Sequence, residues 1–117
     1  MKAAMSRPCL LYMTAGDREE ALALARMLVG ERLAACANVL GAATSVYRWE
    51  GAVQEEGEVV LVAKTVEDRV EAAASRVREA HSYDSPCVVA LPISGGDAEF
   101  LSWVQEEVLA QEAQETR

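Results

Sequence analysis

TSVYRWEG, residues 44–51, and EVVLVAKT, residues 58–65, are the stretches whose pairing decides the fold. Alternation along the first puts Ser45, Tyr47 and Trp49 on one side of a strand and Val46 and Arg48 on the other, since successive strand side chains point to opposite faces. Gly51 marks a turn. The strand that follows, Val53 to Thr65, holds a continuous apolar run from Val59 to Ala63, the pattern expected where both faces of a sheet are covered. Upstream, β-branched and aromatic residues extend the first strand from Cys36 to Glu50, with Gly41 the expected place for a bulge or bend. The whole reads as one long hairpin. Its two aromatic side chains beside a charged tip suit a recognition surface, and equally suit packing in a core or a subunit contact.

Each flank of the hairpin supplies a helix and a strand. Before it, Cys9 to Thr14 is a short apolar run after Pro8, read as a strand buried on both faces. Ala15 and Gly16 break it, and Asp17 is placed to cap a helix with Glu20 at the third helical position. Ala21, Leu24, Ala25 and Leu28 give that helix one buried stripe, ending near Leu33. After the hairpin, Thr65 to Asp68 spells a second capping box, and Val66, Val70, Ala73, Ala74 and Val77 form an apolar helix face that stops before Ser85 and Pro86. Cys87 to Ile93 is a fourth strand, and Asp97 caps a last helix carrying Leu101, Val104 and Val108 on one side. The acidic end is expected to fray from about Gln111.

The order βαββαβ plus a terminal helix is the split βαβ pattern of ferredoxin-like α+β folds, a four-stranded antiparallel sheet with two helices on one face. Such a sheet leaves its other face and both edges to be hidden, so self-association is expected. A chain of 117 residues fits one domain, 1–117, with an ordered core over about 8–110 and an acidic tail.

Composition bounds the function classes. With 51% apolar and 26% charged residues and no run of eighteen apolar residues, the chain reads as soluble and globular, with no membrane partner. A net charge of -8 and no stripe of Lys or Arg argue against nucleic acid and favour cationic partners or none. Lys2 and Arg7 precede an apolar run, Cys9 to Met13, that is too short for a secretory signal, which places the protein in the cytoplasm. Cys9, Cys36 and Cys87 are odd in number and contain no CxxC pair, so free thiols are expected rather than a disulfide framework or a structural zinc site.

Five motifs in order, ERLAACANVL (31–40), TSVYRWEG (44–51), EVVLVAKT (58–65), HSYDSP (81–86) and ALPISGG (90–96), carry a resemblance to CutA, the divalent-cation-tolerance proteins, from Leu11 to about Glu107. The resemblance implies a homotrimer of ferredoxin-like subunits, in which the long hairpin strands extend the sheets from one subunit to the next. It also implies a role in tolerance to divalent metals, with copper binding as described for some members and no obligatory cofactor. Copper or another divalent cation would look to Met13, Cys36 and His81 for thioether, thiolate and imidazole ligands. A copper-binding member carries a cysteine where this chain has Met13, and two adjacent histidines where it has Ala80 and His81. The family pattern has proline after the histidine and glutamate after the tyrosine, where Ser82 and Asp84 stand here. Cys36 equally suits a small core position, and His81 a helix C-terminus beside a carboxylate.

Lys64, at the end of an apolar strand, needs a partner such as Glu50, Glu67 or Asp84, or else reaches solvent past a packed stem. Tyr47, Trp49, Glu50, Lys64, His81, Tyr83 and Asp84 are then candidates to line an intersubunit pocket for a small anionic ligand. No enzyme is expected. The chain lacks a GxSxG or phosphate loop, has one histidine, and its turn from Ala15 to Arg18 lacks the glycine-rich anion cradle of acylphosphatases. The second functional reading is a PII-like small-ligand sensor or scaffold trimer. That class needs a long excursion between the middle strands, and the turn from Glu50 to Val53 is short.

Overall fold

The computed structural model describes the backbone of residues 5–115 and the side chains of residues 5–109. Its order is β1 (Pro8–Ala15), α1 (Arg18–Gly30), β2 (Cys36–Trp49), β3 (Ala52–Val66), a 3-10 turn (Glu67–Arg69), α2 (Val70–Ala80), β4 (Val88–Pro92) and α3 (Ala98–Glu115). The sheet runs β2-β3-β1-β4 with every neighbouring pair antiparallel. This is the expected ferredoxin-like α+β arrangement. The fraying expected from about Gln111 falls where side chains lie outside the described residues.

Strand register sorts the side chains. Leu11, Met13 and Ala15 oppose Ala63, Leu61 and Val59, and of these six only Val59 is not fully buried. Onto this face α1 lays the whole expected stripe, Ala21, Leu24, Ala25 and Leu28, and α2 adds Ala73 and Val77. Each large aliphatic side chain removed from water here contributes about 1.5–3 kcal/mol. A smaller cluster of Ala35, Val66, Val104 and Val108 seats α3, whose first turn Asp97 caps through the Phe100 amide at 2.9 Å.

The opposite face corrects one expectation. Leu10, Tyr12, Val60, Val62, Val89 and Leu91 share it by register, and Tyr12, Val89 and Leu91 are exposed. Neither the Cys9 to Thr14 run nor the Val59 to Ala63 run is therefore buried on both sides within the chain. An apolar run shows that both faces avoid water, but it does not say which molecule covers the second.

Two helix termini also differ from expectation. Thr65 does not cap α2: it ends β3 with Val66, and its hydroxyl donates to the Leu33 carbonyl at 2.7 Å. A 3-10 turn starts the helix instead, with no side-chain cap. Helix α1 stops at Gly30 rather than near Leu33, because Arg32 adopts φ 56°, the left-handed region. The Leu33 amide then bonds the Leu28 carbonyl at 2.9 Å and the Arg32 amide bonds Val29 at 3.1 Å, the two bonds of a Schellman stop. The Arg32 guanidinium is used as well, reaching the Glu107 carbonyl at 2.8 Å and its carboxylate at 3.1 Å on α3.

β2 pairs with β3 from Cys36, opposite Lys64, to Trp49, opposite Ala52, with Leu40 the extra residue of a bulge between Val39 and Gly41, where Gly41 takes φ 123°. β1 stops opposite Val59, so the hairpin from Ala52 back to Trp49 continues past the sheet as a two-stranded arm. Its seven β3 residues beyond β1 project roughly 23 Å at strand rise.

The Arg32 geometry separates two substitutions. Arg32→Gly and Arg32→Ala both lose the tether to Glu107, but only alanine keeps the steric cost of the left-handed backbone. Urea unfolding is expected to find the alanine variant less stable than the glycine variant by about 1 kcal/mol; equal values would show that the backbone there carries no strain.

Candidate functional site

The end of β1, the start of α1 and the end of α2 meet at one corner, and His81 fastens them. It caps the C-terminus of α2 with an extended backbone, and its ring is buried. Nε2 lies 2.8 Å from the Thr14 carbonyl, which only accepts, while Nδ1 lies 3.0 Å from the Tyr83 amide, which only donates. The partners thus assign the neutral tautomer with the proton on Nε2. Glu20 comes within 3.6 Å of Nδ1, but the Tyr83 amide already holds that lone pair, so the contact is not an ion pair.

Glu20 binds the same corner from the helix side. Its carboxylate accepts from the Gly16 amide at 2.9 Å and from the Ser82 amide at 2.7 Å and hydroxyl at 3.1 Å. It therefore does not complete a capping box by reaching back to Asp17, although Asp17 caps the Glu20 amide as expected. Burial works to raise the Glu20 pKa, but the Gly16 amide and the two Ser82 donors, and after them the neighbouring His81, hold the carboxyl below its ordinary value of 4.5. Gly16 lets this happen: a Cβ there would stand 3.3 Å from the Glu20 carboxylate and 3.7 Å from the Tyr83 hydroxyl.

With its loop held in this way, Tyr83 stacks tilted against His81, ring centroids 4.6 Å apart, and its hydroxyl donates to Glu58 at 3.0 Å. Burial, then the Glu58 carboxylate, push its pKa up to about 12. On the arm, the Tyr47 hydroxyl donates to Glu56, and that bond raises the Tyr47 pKa. Between arm and loop lies a cavity of about 500 Å³. Ser45, Tyr47, Trp49, Glu56 and Glu58 line it from the arm, Thr14 from β1, and Tyr83, Asp84, Ser85 and Cys87 from the loop. Burial, then Glu58, raise the Cys87 pKa, which keeps the thiol protonated.

The structure redistributes the candidate residues. Tyr47, Trp49, Tyr83 and Asp84 come together around the cavity. Glu50 does not line it, standing in the hairpin turn at φ 51°. Lys64 sits toward the other end of β3, opposite Leu10 and Cys36, and its ammonium donates to Asn38 rather than to Glu50, Glu67 or Asp84. His81 lies behind the cavity wall and holds the loop.

The copper set is likewise dispersed. Met13 is fully buried on the helix face, Cys36 pairs with Lys64 on the opposite face, and both nitrogens of His81 are engaged. The three do not converge within the chain, and among the described residues no three His, Cys, Asp or Glu side chains are grouped to hold a metal ion. Glu20, Glu56 and Glu58 were not among the sequence candidates. Counting register back from the turn would have found Glu56, which lies diagonally across from Tyr47, but Glu20 is 62 residues from Ser82 and has no local signal.

Residues 9–107 match the model of the CutA1 divalent ion tolerance protein family. The chain belongs to that family. The divalent-cation tolerance protein CutA of Thermus thermophilus is 41% identical over 83% of this chain and 94% of its own length. The chloroplastic CutA proteins of Oryza sativa and Arabidopsis thaliana are 41% and 42% identical over 82% of this chain, which spans about half of their length, 54% and 53%. Among solved structures, the periplasmic divalent cation tolerance protein CutA of Archaeoglobus fulgidus superposes with a TM-score of 0.83 at 36% identity, covering 86% of this chain and 98% of that one. The Thermus thermophilus and Archaeoglobus fulgidus relatives are named for tolerance to divalent cations, not for a reaction.

Their names also overturn the cytoplasmic placement. CutA proteins are chloroplastic in the two plants and periplasmic in Archaeoglobus fulgidus, so the family keeps to no single compartment and a short apolar run near the start gives no address. No helix of the described residues is long and apolar enough to cross a membrane.

Glu20 yields a pH prediction. Its folded pKa is below its unfolded value, so the stability it contributes is full above about 4.5 and is lost as pH falls through the depressed folded value. Glu20→Gln is expected to cost about 1–2 kcal/mol at neutral pH and to flatten the acid limb of stability against pH, followed by urea unfolding. Parallel acid limbs for parent and variant would remove Glu20 as the titrating group.

Proposed function

We propose that this chain serves in tolerance to divalent metal ions, and that it does so as a homotrimer whose subunits cover one another's open sheet faces and arms. The family match over residues 9–107 carries the first part. The uncovered apolar face and the projecting two-stranded arm support the second, since a hairpin standing alone is marginal in water. Contact with copper or another divalent cation then falls to carboxylates, because the Cys87 thiol is held protonated and His81 is committed to the Thr14 carbonyl and the Tyr83 amide. Such contact is weak: hard carboxylates suit copper poorly, and neither an imidazole nor a thiolate is free to join them. The PII-like reading is not favoured, since only Glu50 and Gly51 join β2 to β3 and leave no signalling excursion.

Light scattering is expected to give a mass three times the 12.6 kDa chain; a mass of one chain would end the trimer reading. In calorimetric titration of the reduced, metal-free protein with Cu(I) and Cu(II), uptake is expected to be weak and the same in Met13→Ala as in the parent. Saturable binding at a fixed ratio per chain, abolished in His81→Ala, would restore an imidazole-centred copper site.

A further inference from the structure

His81 is the chain's one histidine, and metal tolerance leaves its buried ring without a task beyond holding the corner. In the neutral tautomer Nε2 donates to the Thr14 carbonyl at 2.8 Å and Nδ1 accepts from the Tyr83 amide at 3.0 Å. Beside that amide, 3.6 Å from the same Nδ1, stands the Glu20 carboxylate. Nδ1 thus faces a donor and an acceptor side by side, and whether it carries a proton decides which of the two it can bond. The imidazole is fully enclosed by its own chain, so this choice does not depend on what covers the arm or the open sheet face.

The groups around the ring say where a second proton would be received. From α1 comes Glu20, whose lowered pKa keeps it a carboxylate across the range of about pH 5 to 8 in which histidines titrate. From the loop comes Tyr83, neutral because its pKa is pushed up to about 12, and behind it Glu58 of β3 accepts from the Tyr83 hydroxyl at 3.0 Å. β1 presents the uncharged Thr14 carbonyl. On α2 the charged neighbours in sequence, Arg78 and Glu79, are exposed, and Glu79 pairs with Arg76; Asp84 of the loop is exposed as well. A positive charge on the ring therefore meets one carboxylate directly, and it lies on the α1 side of Nδ1.

We propose that the contact between His81 and Tyr83 is a proton-operated clasp on the loop from Ser82 to Ser85. A proton taken from water onto Nδ1 turns that nitrogen from acceptor to donor, so that it opposes the Tyr83 N–H and donates to Glu20 instead. The part-buried Tyr83 amide then lacks an acceptor, which is costly, and the loop opens from Tyr83 onward to bring it to water. Ser82 stays in place, because its amide and hydroxyl bond Glu20 and not the ring. The closed loop holds one proton fewer than the open one, so closure is complete at the upper end of the histidine range and is lost as pH falls through it. Tyr83 takes its hydroxyl bond to Glu58 with it, which parts the loop from the arm. The inference goes beyond the metal-tolerance reading and stands without it.

The test is NMR of the full chain from about pH 8 to about pH 5, where the single imidazole identifies itself. Its Cε1–H signal reports protonation. Hydrogen exchange at the Tyr83 and Ser82 amides, corrected for the intrinsic effect of pH, reports opening. Protonation of the ring and faster exchange at Tyr83 are expected to share one midpoint, with the Tyr83 rate rising at least about tenfold and that of Ser82 unchanged. Glu20→Gln removes the carboxylate that receives the Nδ1 proton and is expected to move both midpoints together to lower pH. Circular dichroism checks that this variant folds, and the readings on the parent chain decide the matter if it does not. A ring that protonates with no change at Tyr83, a ring still neutral at about pH 5, equal acceleration at Ser82 and Tyr83, or a folded Glu20→Gln variant with the parent's midpoints would each overturn the proposal.

Discussion

The structure depends on a mismatch of strand lengths. β3 has 15 residues and β1 has 8, so the inner half of β3 is paired on both sides and the outer half on one. The paired half places Leu61 and Ala63 under the helices and makes the core. The outer half has no helix above it and only β2 beside it, and it is this part that carries Glu56 and Glu58. The core and the candidate site are thus built into successive stretches of a single strand. The twist added by the bulge at Leu40 falls near the boundary between them.

The loop that faces the arm is held by side chains more than by backbone pairing. The Tyr83 amide goes to an imidazole and the Ser82 amide to a carboxylate, while the Gly16 amide goes to that same carboxylate from the other side. Each such bond to an ionised group is worth more than a neutral one, and a buried histidine with both nitrogens matched leaves no unsatisfied polar atom behind. Among the described residues no buried side-chain nitrogen or oxygen lacks a partner. The histidine that looks most like a metal ligand in the sequence is here a structural fastener.

Periodicity made the fold legible. The α1 stripe, the bulge at Gly41, the hairpin and the caps at Asp17 and Asp97 were all readable because each rests on neighbours within a few residues. The failures share one cause, a local signal overruled from a distance. Thr65 has the spacing of a cap, yet its hydroxyl is claimed by Leu33 on another segment. Arg32 hides a helix stop normally announced by glycine, and it is anchored to α3, 75 residues later. Around the cavity, alternation brought Tyr47 and Trp49 to one side, but no spacing rule excluded Lys64. That required knowing its register against β1 and β2.

The corner at His81 also bears on how the molecule assembles. Its bonds to Thr14 and those of Glu20 to Ser82 span 67 and 62 residues of chain, whereas the hairpin closes across two. Loop-closure entropy grows with that span, and topology dominated by distant contacts slows folding. The expected sequence of events is hairpin first and corner last, after both helices have docked on the sheet. The wall facing the arm is then among the last parts to take shape, and by the same account local opening at Ser82 and Tyr83 precedes global unfolding.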